Sequence, residues 1–148
     1  IVAYLGETFP PPPGFFVPRE PAARARVNEY LFFCMSELDA QALYVIRKHL
    51  ELAEIYGDSP VVVEAARAYF TDQASALLAK RGTDWEFLMD EGMSVADILL
   101  TTCVTSALGR AIEVPEPLIA YKDLIVQRPA YIRAFKQAYP DRPHPGGS

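Results

Sequence analysis

The sequence lacks any run of about eighteen apolar residues, the length a membrane-spanning helix needs, so no membrane span is expected. It also lacks a basic stripe that could follow a phosphate backbone. With 14 Lys plus Arg against 19 Asp plus Glu, the net charge is -5, and no nucleic-acid partner is expected. Cysteine is scarce: Cys34 and Cys103 each fall inside an apolar helical pattern, where a reduced thiol behaves as a small hydrophobe. Histidine is as scarce. His49 and His144 lie far apart, the second in a Pro- and Gly-rich tail, and no metal-ligand spacing joins them to the cysteines, so no metal is expected. A charged leader followed by an apolar run and a small-residue cleavage site is missing, which makes the cytoplasm the expected compartment. Neither a strand-like alternation nor a repeat of fixed period appears.

What is present is helical periodicity. The 148 residues, 51% hydrophobic and 22% charged, suit one folded core rather than two domains or a disordered chain. The opening IVAYLGETF has apolar residues at helical spacing but no start signal, and reads as the tail of a helix that begins upstream. The four consecutive prolines of FPPPPGFF end that helix, because a proline run cannot continue helical hydrogen bonding. Residues 10–18 then read as a linker. Pro21 suits the first position of a new helix, where its missing N–H costs nothing. From there Val27, Leu31, Cys34, Leu38, Ala42 and Val45 recur at intervals of three and four, predicting one helix of roughly thirty residues. YGDSP closes it. Ser59 and Pro60 form a cap and first-turn pair for a second helix to about Arg81, with Gly82 as a left-handed stop. Trp85, Phe87, Leu88 and Met89 form an apolar connector over the core. After VPEP, two further helices cover about 118–126 and 130–138, separated at Pro129. Residues 140–148 read as a frayed tail.

The stretch GMSVADILLT carries the most specific signal. Ser94 is placed to cap a helix, its hydroxyl taking the free N–H at the third helical position while the carboxylate of Asp97, at that same position, reaches back to the Ser94 N–H. Met93 and Ile98 occupy the two positions of a hydrophobic staple. The helix behind them, ADILLTTCVTSAL, is apolar or small on every side, so full burial is expected and its head cannot rely on water. The fold class that follows is an all-α bundle of about five to six helices around one central buried helix.

This order of elements resembles the C-terminal helical domain of the cytosolic glutathione transferase superfamily. SVADILL is similar to the box and staple that open the family's buried sixth helix. IVAYL resembles the end of the helix closing the family's thioredoxin-like N-terminal domain, the proline run its interdomain linker, and RPAYIRAF a late helix. The resemblance implies a domain layout of 1–9 as the last helix of a missing thioredoxin-like domain, 10–18 as linker, 19–139 as the helical domain and 140–148 as tail. It further implies a homodimer that conjugates glutathione, as co-substrate, to an apolar electrophilic small molecule. No catalytic residue is then expected in this chain, since the residue that activates the thiol would lie upstream of Ile1.

Four residues are candidates for the co-substrate side. YLFFCMSELDA resembles the cleft-facing part of the family's long helix, which points to Phe32, Met35 and Asp39. In the beta class a His and a Lys stand where Asp39 and Ala40 align, and an Asn where Phe32 aligns, so the sequence departs at all three. Ser106 aligns with a large cleft-facing aromatic, which would leave a roomier pocket. Each candidate also has a plainer reading. Asp39 could be a solvated acid, and Phe32, Phe33 and Met35 could be core or dimer-interface residues. Arg47, Lys48 and His49 suit a helix C-terminus, where cations complement the dipole. The alternative for the whole chain is a non-catalytic binding or assembly module on the same fold.

Overall fold

The computed structural model describes residues 1–145, and all their regular elements are helices. We number them α1 (Val2–Thr8), α2 (Pro21–Phe33), α3 (Ala53–Tyr56), α4 (Pro60–Arg81), α5 (Val95–Leu108), α6 (Glu116–Val126) and α7 (Pro129–Ala138). The long helix predicted from Pro21 is present, but it is not α-helical throughout. Beyond α2 it widens to π-type turns over Cys34–Leu43, returns briefly to α at Tyr44–Ile46, and widens again over Arg47–Glu51. The Tyr44 N–H donates to the Asp39 carbonyl, and the Leu52 N–H to the Arg47 carbonyl at 2.9 Å, both five residues back.

The apolar spacing explains the widening. Cys34, Leu38, Ala42 and Ile46 are all buried, one every fourth residue. In a helix of 3.6 residues per turn such a series drifts about 40° around the axis at each step. Interspersed wider turns counter the drift and keep these side chains on one inner face.

That face packs against α4 and α5. Along α4 the buried residues Val63, Ala66, Phe70, Ala74 and Leu77 follow helical spacing. From α5, Leu100, Cys103, Val104 and Ala107 complete the core. The two cysteines, 69 residues apart in sequence, meet here: the Cys103 thiol donates to the Cys34 carbonyl at 3.7 Å. A hydrogen bond with Cys103, reinforced by burial, pushes the Cys34 thiol well above its ordinary range. Both are free and buried, and Cys34 is a packed thiol without thiolate character.

Several details differ from the sequence expectation. Ser59 occupies the cap position of α4 but makes no side-chain cap hydrogen bond. Gly82 does end α4 with a positive φ of 84°, its N–H returning to the Leu78 carbonyl at 2.7 Å. Residues 10–18 are more than a spacer. Phe15 and Met93 form a parallel bridge, and the Phe16 N–H donates to the Met93 carbonyl at 2.6 Å. The close approach requires Gly92, whose φ is +134° and where a Cβ would stand 3.2 Å from the Gly14 carbonyl oxygen.

Two corrections concern the ends of the bundle. Full enclosure of α5 is not realised: Val95, Ala96, Asp97, Leu100 and Thr101 are buried, but Thr102 is exposed and Ile98 is 37% exposed. That strip of the helix is left uncovered, so the two staple positions hold a buried Met93 and a partly open Ile98. The frayed tail is also revised. Residues 140–145 fold back, Lys122 donating to the Pro145 carbonyl at 3.1 Å and the His144 ring lying edge-on to Tyr131 and Phe135 at 5.8 and 5.5 Å. Residues 146–148 of that expectation lie outside the described residues.

Candidate functional site

Helix α5 has two very different ends. At its head, Ser94 adopts an extended backbone and forms the reciprocal box that the sequence predicts. Its hydroxyl accepts the Ala96 N–H at 3.2 Å, while its own N–H donates to Asp97 Oδ2 at 2.7 Å. The hydroxyl also donates to the same oxygen at 2.9 Å. Asp97 does more than close the box. Its Oδ1 accepts the Leu88 N–H and the Tyr121 hydroxyl, both at 2.8 Å. One buried carboxylate therefore ties together the connector, α5 and α6, with both its oxygens occupied. Burial, followed by the neighbouring Asp97 charge, holds the Tyr121 phenol well above its ordinary range, so it is a donor. Trp85 packs on its ring with centroids 4.8 Å apart. A carboxylate so fully partnered has no lone pair left for chemistry.

The other end is open. Thr102, Thr105 and Ser106 of α5 form one wall of a groove of about 700 Å³. The facing wall is aromatic: Tyr131, Phe135 and Tyr139 follow one another every four residues from α7 into the tail. Tyr131 and Phe135 stack at 6.2 Å with an interplanar angle of 13°, and Phe135 meets Tyr139 at 5.3 Å. Two arginines also line the groove. Arg110 donates to the Ser106 carbonyl at 3.1 Å and to the Ser106 hydroxyl, and pairs with Glu51 through Nε at 2.7 Å. Arg67 donates to the Arg110 carbonyl, which fixes the exit of α5. Arg142 stands over the Tyr139 ring, 5.1 Å from its centroid. Burial raises the Tyr131 phenol above its ordinary value, with the nearby Thr105 hydroxyl opposing the shift.

A second, apolar cavity of about 330 Å³ lies between the linker, α5 and α7, lined by Phe15, Met93, Ile98, Thr101, Ile125 and Tyr131, with Arg128 beside them.

The four candidate residues are not gathered into one place. Ser106 lines the groove. Phe32, at 69% exposure, and Met35, at 44%, point outward from the long helix, and neither is a core residue. Asp39 is half-buried on the same helix. None of these three lines the groove. Sequence reasoning missed Arg110, Arg142 and the aromatic row. The four-residue spacing of Tyr131, Phe135 and Tyr139 is a usable signal, whereas nothing in the sequence marks the folded-back tail that sets His144 against Tyr131 and Phe135. Among the described residues no group of three His, Cys, Asp or Glu side chains is placed to hold a metal ion, and no helix is long and apolar enough to cross a membrane.

The fold and its open groove describe an all-α protein with a clamped inner helix and an aromatic concavity at that helix's far end. Compared with protein-family models, curated proteins and solved structures, the chain matches none.

Proposed function

We propose that this chain is the helical domain of a glutathione transferase-like protein and supplies the side of the site on which an apolar electrophile rests. The observation that carries the reading is the pairing, on a single helix, of a buried reciprocal box at Ser94 and Asp97 with an aromatic groove at the opposite end. Glutathione is then the co-substrate, held by a thioredoxin-like domain whose thiol-activating residue lies upstream of Ile1. The exposed apolar residues Tyr4, Leu5 and Phe9 of the first helix and linker support a covering domain there, since Leu5, Phe9 and Ile98 share one apolar concavity. In this reading the reaction is attack of a thiolate on an electrophilic carbon, with the leaving group departing as the carbon–sulfur bond forms. The helical domain contributes position and exclusion of water rather than a proton. The outward Phe32 and Met35 suit a homodimer contact, and the two reduced, buried cysteines suit the cytoplasm.

One observation favours a second reading, a non-catalytic binding module on the same fold. Asp39 stands where the resemblance places a cation near the thiol, and a carboxylate beside a thiolate disfavours the charged form. A single experiment separates the two. The full-length gene product is assayed for glutathione-dependent conjugation of 1-chloro-2,4-dinitrobenzene and, in parallel, for glutathione binding. Turnover supports the enzyme, binding without turnover supports the module, and absence of both removes the family reading.

A further inference from the structure

We propose that α7 is a membrane-surface helix, which turns its aromatic side onto a bilayer containing anionic phospholipid and sets its basic side among the headgroups. The inference goes beyond the proposed function and uses neither glutathione nor a ligand in the groove, so either can fail without the other.

Sequence supplies the first part. At 3.6 residues per turn, Tyr131, Phe135 and Tyr139 fall on one side of α7 and the residue that follows it, while Arg133, Lys136 and Gln137 fall on the other. Residues 124–140 hold three cations, Arg128, Arg133 and Lys136, and no Asp or Glu, in a chain whose net charge is -5. The acids that bound this stretch are Asp123, already paired with Lys122, and Asp141. None of Arg128, Arg133, Lys136 and Arg142 has a carboxylate within ion-pairing distance among the described residues. A local excess of positive charge is therefore left uncompensated on an acidic protein.

Packing supplies the second part. Helix α7 contributes no buried residue, whereas α6 just before it contributes Leu118, Tyr121, Lys122, Ile125 and Val126. Its aromatic side borders the groove of about 700 Å³, and Ala130 and Ala134 border the apolar cavity of about 330 Å³. Side chains next to open space forgo the contacts that a packed core would give them, so little is lost when this side turns away from the bundle. At the boundary between headgroups and acyl chains the rings regain apolar contact, and the phenolic O–H groups stay hydrated. Ten residues are too few to cross a bilayer but enough to lie in its plane. Each Lys or Arg held near an anionic bilayer strengthens binding by about fivefold. An acidic protein would need only the basic side, whereas a lipid surface employs both sides at once.

The test is co-sedimentation of the full chain with vesicles of phosphatidylcholine alone and of phosphatidylcholine with about 30% phosphatidylglycerol, in about 0.1 M salt. The expected result is a roughly tenfold stronger partition onto the anionic vesicles, falling to the neutral level in about 0.5 M salt. Arg133→Gln combined with Lys136→Gln should remove most of that preference without moving the thermal midpoint, because both side chains are exposed. Arg47→Gln combined with Lys48→Gln takes the same charge from the long helix and should leave the preference within about twofold. Tyr139→Ser, at a residue 47% exposed, should weaken partition onto the anionic vesicles by about threefold. Equal partition onto the two vesicles, no partition onto either, or a preference that survives loss of Arg133 and Lys136 overturns the proposal. A preference lost equally with Arg47 and Lys48 overturns it as well. So does unchanged partition of Tyr139→Ser, or retention on immobilised poly-L-glutamate as strong as on the vesicles, either of which points to an acidic polypeptide held by charge alone.

Discussion

The head and the exit of helix α5 are built from the same kinds of residue, hydroxyls and a charged side chain, yet they do opposite things. At the head, Ser94 and Asp97 are fully buried and every polar atom of the pair has a partner. At the exit, Thr102, Thr105 and Ser106 face a groove open to solvent, and one nearby cation, Arg142, has no carboxylate partner among the described residues. A saturated polar cluster stabilises a fold, whereas an unsaturated one at a concave surface has binding capacity to spare. Residue type therefore does not distinguish a structural site from a binding site; the count of occupied lone pairs and donors does.

Substitutions can break or sharpen that contrast. The largest effect belongs to Asp97→Ala, which strands the Ser94 and Leu88 amides and the Tyr121 hydroxyl. At about 1 to 3 kcal/mol for each buried group left unpaired, a loss of about 4 kcal/mol is expected in urea unfolding. A loss below about 1 kcal/mol would mean that water replaces the carboxylate and that the head is no more committed than the exit. Ser94→Ala comes next. It removes the hydroxyl cap but keeps the Ser94 N–H on Asp97, so about 1 to 2 kcal/mol is expected from the same measurement. Tyr121→Phe deletes one hydrogen bond to an acceptor that retains the Leu88 N–H, and about 1 kcal/mol is expected. If Tyr121→Phe proved as costly as Asp97→Ala, the phenol and not the cap would be the organising group.

At the exit, Ser106→Ala should change the unfolding free energy by less than about 0.5 kcal/mol. Arg110 keeps both Glu51 and the Ser106 carbonyl, and the site is partly solvated. Phe32→Ser should be smaller still in stability, because Phe32 is outside the core, but it should shift a dimer toward monomer in sedimentation if the outward face of the long helix is a contact between copies.

Legibility in the sequence followed the range of the interaction. The box at Ser94 and Asp97 spans three residues, so its spacing alone announces it, and the helix it opens was readable from the same stretch. The third and fourth partners of Asp97 were not, because Leu88 is reached through a connector of irregular backbone and Tyr121 through a separate helix. Ser106 lines the groove, where Arg110 donates to its carbonyl and hydroxyl. Phe32, Met35 and Asp39 carried no pattern that distinguishes an outward stripe from a cleft wall. Their helix runs through wider turns, and each such turn rotates the residues beyond it relative to a regular helix.

By itself the sequence determined the helices, most of their boundaries and the clasp at the head of α5. These depend on periodicity, proline, glycine and short-range hydrogen bonds, all of which act within a few residues of the chain. Tertiary structure alone decided that Cys34 and Cys103 meet, that α5 keeps one open strip, and that the tail returns to set His144 against Tyr131 and Phe135. Those outcomes depend on which faces pack together, and face-to-face packing is a property of residues far apart in the chain whose identities carry no mark of one another.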